Sequence, residues 1–167
     1  MENIFEYDFE VQYADIDSHN HLTDYAILKY LQEIACLHAA SLGHGLYDTP
    51  RTRTVWLILD WKIQIVSRPS WRDTLHIKTW PSKIDVASCY RDFEVFNKDG
   101  KRIGIATSKW VVFNIDTHKI SRLSPEIQNE FSPVCRRVFD NEIEKLKEPS
   151  TFDLETNYTI LKRDIDT

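Results

Sequence analysis

One long segment of this chain repeats its apolar residues at helical spacing, and the segments around it alternate. Over residues 24–42, Ile27, Leu28, Leu31, Ile34, Ala35, His38 and Leu42 fall on one broad stripe of a helix. Thr23 is a natural N-cap, Asp24 places a carboxylate at the positive helix end, and Gly43 and Gly45 are stop signals. A helix of about five turns with such a stripe must bury it, and a sheet offers a face large enough. The rest of the chain supplies that sheet. Residues 5–13 alternate, with Phe9, Val11 and Tyr13 on one face. Residues 53–67 predict a long strand with Val55, Leu57, Leu59, Trp61, Ile63 and Ile65 in alternation, ended by Pro69. Residues 74–81, 86–97 and 102–115 predict three more, the last two joined by the turn Asn97-Lys98-Asp99-Gly100. A turn at 116–119 leads into an extended piece to Arg122, and Ser124-Pro125 opens a short helix. The expected class is α+β: an antiparallel sheet wrapped around one long central helix.

Composition narrows the functions. Hydrophobic residues are 42% and charged residues 28% of 167, which suits a globular domain rather than a disordered chain. A net charge of −5 argues against a partner that tracks nucleic-acid phosphates. Cys36, Cys89 and Cys135 are odd in number and widely spaced, with no CxxC pair, so a reducing, cytoplasmic setting is expected. The start, MENIFEYDFE, has no apolar signal-peptide core, and no apolar run reaches the ~20 residues of a membrane helix. No membrane association is expected.

The chemistry concentrates just before the helix, in YADIDSHNHLTD, residues 13–24. Asp15, Asp17, His19 and His21 alternate there, and three readings fit. Asp17 is a base or nucleophile for hydrolysis, with His21 and His19 as hydrogen-bonding partners and helix-start amides holding a developing oxyanion. Asp15, Asp17, His19 and His21 are also competent metal ligands, although no second cluster supplies closing ligands. The plain reading is a solvated turn. The chain also echoes itself: Asp15-Ile16-Asp17 recurs as Asp164-Ile165-Asp166, and Phe9 and Val11 fall in step with Tyr158 and Ile160. The organisation expected from this echo is a domain over 1–135, a charged linker over 136–152, and the first strand of a second unit over 153–167.

These residues resemble a known family. Tyr13, Asp15, Asp17 and His21 match the Y-x-D-x-D-x-x-x-H opening of hotdog-fold thioesterases. YLQEIACLHAASLG, WLILDWKIQIVSRPSWRDTLHIKTWPS and YRDFEVFNKDGKRIGIATSKWVVFNIDT are similar to the first half of acyl-acyl-carrier-protein (acyl-ACP) thioesterases, which carry two hotdog units in tandem. The resemblance implies hydrolysis of the thioester between a fatty acyl group and acyl carrier protein, in fatty acid biosynthesis, with no cofactor and no metal. It also implies that the first unit shapes the acyl groove, while the catalytic Asp-x-Asn-x-His set lies in the second, here beginning at Asp166. Within this unit the candidate catalytic residues are Asp17, His21 and His19. His19 stands where the family has asparagine, and Gln64 near where the catalytic unit has an acidic residue. Two rivals stay open: a single-unit acyl-CoA thioesterase working through Asp17 as a homodimer, and a non-catalytic acyl-binding module. A lone unit leaves a sheet edge open, so a homodimer through sheet pairing is expected.

Other residues have two readings each. Trp56, Trp80 and Trp110 line an acyl tunnel or pack the core. Arg51, Arg53, Arg68 and Arg72 meet an acidic carrier protein or form a solvated edge. His38 and His44 are packed or surface histidines, and Cys36 is expected as a buried small residue in the helix.

Overall fold

The computed structural model describes residues 3–144. The echo at Asp164–Asp166, the strand expected over 153–167 and the linker beyond 144 lie outside the described residues. Six antiparallel strands form one sheet: β1 (Phe5–Glu10), β2 (Thr54–Ile65), β3 (Thr74–Ile84), β4 (Cys89–Phe96), β5 (Arg102–Asn114) and β6 (Lys119–Ser121). The spatial order is β1-β3-β4-β5-β2, with β6 pairing β5. The long helix α1 spans Asp24–Ser41; a single turn, α2 (Thr49–Thr52), and a short helix, α3 (Pro125–Glu130), complete the set. No described helix is long and apolar enough to cross a membrane.

The α1 boundaries follow from their caps. The Thr23 hydroxyl accepts the Ala26 amide at 3.2 Å, and Gly43 takes a φ of +75° just past the last turn. Ala26, Ile27, Tyr30, Leu31, Ile34, Ala35, His38 and Ala39 are buried against the sheet. Leu31 and Ile34 are fully buried, and each such side chain contributes about 1.5–3 kcal/mol. Leu28 and Leu42 are only half-buried, so the stripe is centred on Tyr30 and Leu31 rather than on Leu28. The sheet answers with Ile77, Phe93, Val95, Ala106 and Trp110 in the same core.

Three strands differ from the pattern read in the sequence. β1 ends at Glu10, because Val11 leaves the ladder to exchange hydrogen bonds with the 72–73 turn (Val11 N–H to Asp73 O, 2.9 Å; Arg72 N–H to Val11 O, 3.0 Å). Tyr13 then begins a tight turn and points outward, edge-on to Trp71. In β2 the register against β5 shifts between Ile58 and Asp60. That bulge inserts a residue and exchanges the two faces. Trp56 and Ile58 therefore pack inward with Trp61 and Ile63, while Leu57 and Leu59 are exposed on the outer face. β3 runs past Pro81 to Ile84, with its register shifting between Pro81 and Lys83, where proline has no N–H for the ladder.

Behind the sheet, residues 134–138 form a strap across its outer face. Val134 N–H donates to Pro81 O, and the Trp80 indole donates to Arg136 O. Asp92, fully buried, accepts from the Thr107 hydroxyl, the Val138 amide and Arg137 Nε. The first residues of the expected linker are thus tied to the sheet.

Candidate functional site

The loop before α1 closes on itself. Ile16 and Leu22 form an isolated antiparallel bridge, and Asp17 N–H donates to His21 O at 2.8 Å. Asn20 takes a φ of +61° and accepts the Trp71 amide on its side chain. Asp15 closes the tight turn Tyr13–Asp15 and Asp17 lies beyond it, so the two aspartates do not share the single face that an unbroken strand would give them. Asp15 points inward and accepts the Tyr30 hydroxyl at 2.7 Å while pairing with the Lys29 ammonium. Burial pushes the Asp15 carboxyl up, but hydrogen bonds from Lys29 and Tyr30 outweigh it and hold the group below the usual carboxylate range. Asp17 points outward, with Oδ1 accepting the backbone amides of His19 (2.8 Å) and His21 (2.9 Å). The His21 amide, joined by that of His19 against slight desolvation, holds its carboxyl low. Asp17, His19 and His21 are all exposed, and neither imidazole makes a side-chain hydrogen bond among the described residues. With Asp15 committed inward, no group of three or more His, Cys, Asp or Glu side chains among the described residues is arranged to hold a metal ion.

A cavity of about 260 Å³ lies at the opposite end of α1. Its walls come from the C-terminal half of the helix (Ala35, Cys36, Ala39), the 44–49 turn, and strands β2, β4 and β5 through Trp56, Ile58 and Trp110, with Phe131 beyond. Gly45 lets the turn pass close to the helix: a Cβ there would sit 2.7 Å from the Ala40 Cβ. The cavity wall is mostly apolar, the surface an aliphatic chain prefers, with Gln32, His44, Thr49 and Arg91 among its polar members. Thirteen residues of helix separate Thr23 from Cys36, about 20 Å at the α-helical rise. The structure therefore brings Asp17, His19 and His21 together in one loop and sets them apart from the cavity.

Trp56 and Trp110 line the cavity, whereas Trp80 lies on the outer face with the Arg136 guanidinium stacked 4.4 Å from its ring centroid. Cys36 corrects the sequence expectation. It is exposed rather than buried, because it sits on the helix side that opens toward the cavity. The four arginines are largely engaged: Arg51 with Asp48, Arg53 with Asp116, Arg68 with Asp24, and Arg72 over the Trp71 ring. Gln64 is exposed on β2. His38 is packed, stacked on Phe5 at 5.2 Å, and burial followed by the neighbouring Arg91 charge lowers its pKa to about 3. Arg91, buried at the cavity wall, went unread in the sequence. Its signal is parity: it shares the inward face of β4 with Phe93 and Val95, where a charge is out of place.

A helix buried in the concave face of an antiparallel sheet, with an apolar cavity beneath it, has clear relatives. A model of the acyl-ACP thioesterase N-terminal domain matches residues 2–131. The chain belongs to this family. It is 30% identical over 176 aligned residues to oleoyl-acyl carrier protein thioesterase 2 of Arabidopsis thaliana, a chloroplastic protein, covering 92% of this chain and 47% of that one. The chain spans about half the length of the curated relatives it matches. An acyl-ACP thioesterase from Bacteroides thetaiotaomicron superposes with a TM-score of 0.71 at 23% identity, over 92% of this chain and 60% of that one. A hypothetical protein of Staphylococcus aureus, solved in complex with CoA, superposes with a TM-score of 0.77 at 14% identity, over 89% and 98%. These likenesses establish the hotdog fold.

Proposed function

We propose that this unit holds the fatty acyl chain of a thioester in the α1 cavity, and that the protein hydrolyses the bond joining that chain to acyl carrier protein. The observation that carries the reading is the apolar cavity walled by Ala39, Trp56, Ile58, Trp110 and Phe131, in a chain of the acyl-ACP thioesterase family. On this reading the Asp17 loop is a brace that fixes the start of α1. One Asp17 oxygen serves two backbone amides, and the lowered pKa makes the carboxylate a weak base. Ala39→Phe places a ring in the cavity. Its expected effect is a loss of acyl-ACP affinity of about tenfold or more at unchanged melting cooperativity, since one lost apolar contact region is worth about 1–3 kcal/mol. Full retention of acyl-ACP binding by that variant would sink the cavity assignment.

A second reading is a single-unit acyl-CoA thioesterase working as a homodimer through Asp17. It is favoured by the Staphylococcus aureus neighbour, which this chain covers almost end to end. Asp17 would take a proton from water as the water oxygen adds to the thioester carbonyl; the C–S bond would then break, and the departing thiolate would take that proton to leave as the thiol. The Asp24 and Tyr25 amides, which an α-helix leaves without internal partners, would face the developing oxyanion. Asp17→Asn separates the readings, because asparagine keeps the oxygen that accepts the His19 and His21 amides. Hydrolysis of acyl-CoA falling about 10²-fold or more supports the second reading. Equal rates for wild type and variant leave Asp17 as a brace.

A further inference from the structure

Every buried carboxylate described here has a cation: Asp15 has Lys29, Asp92 has Arg137, and Glu94 has Arg102 and Arg136. Arg91 has no such partner. Its side chain is 4% exposed and lines the cavity. Nη1 donates to His38 Nδ1 at 2.9 Å and to Thr79 Oγ1 at 3.2 Å, and both acceptors are uncharged. His38 is held in the matching tautomer, because its Nε2 faces the Asn3 side-chain oxygen at 3.0 Å. Among the described residues, Arg91 Nε and Nη2 make no hydrogen bond, and no carboxylate pairs with the guanidinium. Burial lowers its pKa only to about 10, so it is charged at neutral pH. The neighbouring Cys36 and Cys89 thiols provide no counter-charge: partial desolvation at the cavity mouth and then the Glu33 charge push Cys36 up, and burial pushes Cys89 up to about 11.

A buried cation without a partner is strongly unfavourable, and an arginine fork matches a carboxylate in two parallel hydrogen bonds. Most of the rest of the wall is apolar, with Gln32, His44 and Thr49 as its other polar side chains besides the two thiols. The occupant that satisfies both is an aliphatic chain ending in a carboxylate, with that end innermost. We propose that the cavity binds a free fatty acid carboxylate-first, paired with the Arg91 guanidinium, with its alkyl chain against Trp56, Ile58 and Trp110. This rests on the cavity being the acyl site, and it makes the released acid a competitor of the next acyl chain. At about 30 Å³ for each water-sized group the volume of about 260 Å³ takes roughly eight or nine, close to the size of octanoate with its eight carbons and two oxygens.

Calorimetry on the 167-residue chain tests this with octanoate and with 1-octanol, which has the same chain and no charge. Octanoate is expected to bind at least tenfold more tightly than 1-octanol, and to be displaced by it. Arg91→Met is expected to erase that preference while leaving 1-octanol affinity within about twofold, and Arg91→Lys to keep part of it. The monothioester of suberic acid with pantetheine serves as a further arm. Octanoate binding more tightly than that thioester identifies the free acid as the occupant; the reverse order assigns the Arg91 site to an ω-carboxyacyl substrate and overturns head-first binding of the free acid. Equal affinities of octanoate and 1-octanol in the wild type also overturn the proposal, even if Arg91→Met fails to fold, and leave the acyl cavity standing. Failure of every one of these ligands to bind overturns both.

Discussion

Asp15 and Asp17 are two residues apart, chemically identical, and opposite in role. Asp17 faces solvent and shapes a loop. Asp15 is buried and joins that loop to α1 through Tyr30 and Lys29. Removing it with Asp15→Ala leaves the Tyr30 hydroxyl only its longer contact with Glu10 O at 3.3 Å and leaves Lys29 without its partner. The expected cost is about 2–3 kcal/mol, at the lower end for a broken buried pair because Lys29 is half-exposed and reaches water. Urea unfolding at neutral pH measures it. The pair also sets a pH window. The folded Asp15 carboxyl lies below its unfolded value of about 3.9, so its stabilisation is complete above that value and is lost as pH falls through the folded one. Tyr30 is shifted the other way, up to about 12, chiefly by burial and then by the Asp15 hydrogen bond. Its contribution is complete below about pH 10 and is lost as pH rises through 12. Unfolding free energies for wild type, Asp15→Asn and Tyr30→Phe should show the acid slope flattened in the first variant and the alkaline slope in the second. Parallel slopes in all three proteins would refute the assignment.

At the scale of elements, the sequence was legible wherever one periodicity held along a whole segment. The α1 start at Asp24, its Thr23 cap, the Asn97–Gly100 turn and the Ser124 cap of α3 all follow from local chemistry, and the structure has each of them. Legibility failed where a single residue interrupted the period. In β2, Leu57 and Leu59 are in step with Trp61 and Ile63 on paper, yet the bulge at Ile58/Asp60 turns them outward. Nothing local marks that bulge, because Trp56 and Ile58 are as apolar as the neighbours they replace; it follows from pairing with β5, which lies about fifty residues away. The same pairing explains the candidate site. Asp17, His19 and His21 were visible because a polar loop before a helix is a local feature. The cavity was not, because its walls come from α1, the 44–49 turn, β2, β4 and β5 at once. Arg91 lay between: its parity within β4 was readable, but its lack of a carboxylate depends on which strands flank it.

For the whole molecule, the sheet order leaves β2 at one end with no strand on its outer edge among the described residues. It is 12 residues long, twice the length of β1 at the other end, and carries the exposed Leu57 and Leu59. A long open edge with apolar side chains is a template for pairing. Two occupants satisfy it: a second unit in a chain of the relatives' length, or β2 of a second copy, whose antiparallel pairing gives two-fold symmetry. For the 167-residue chain alone, we propose the second copy. Sedimentation at micromolar concentration should then give twice the 19.7 kDa chain mass. Joint substitution Leu57→Lys and Leu59→Lys puts like charges along both facing edges and should return the chain to a monomer, with α1 and the cavity unchanged because both side chains point away from them. A monomeric wild type rules out pairing by this chain alone. A variant that stays dimeric moves the interface away from β2, and the open edge then awaits a partner on the same polypeptide.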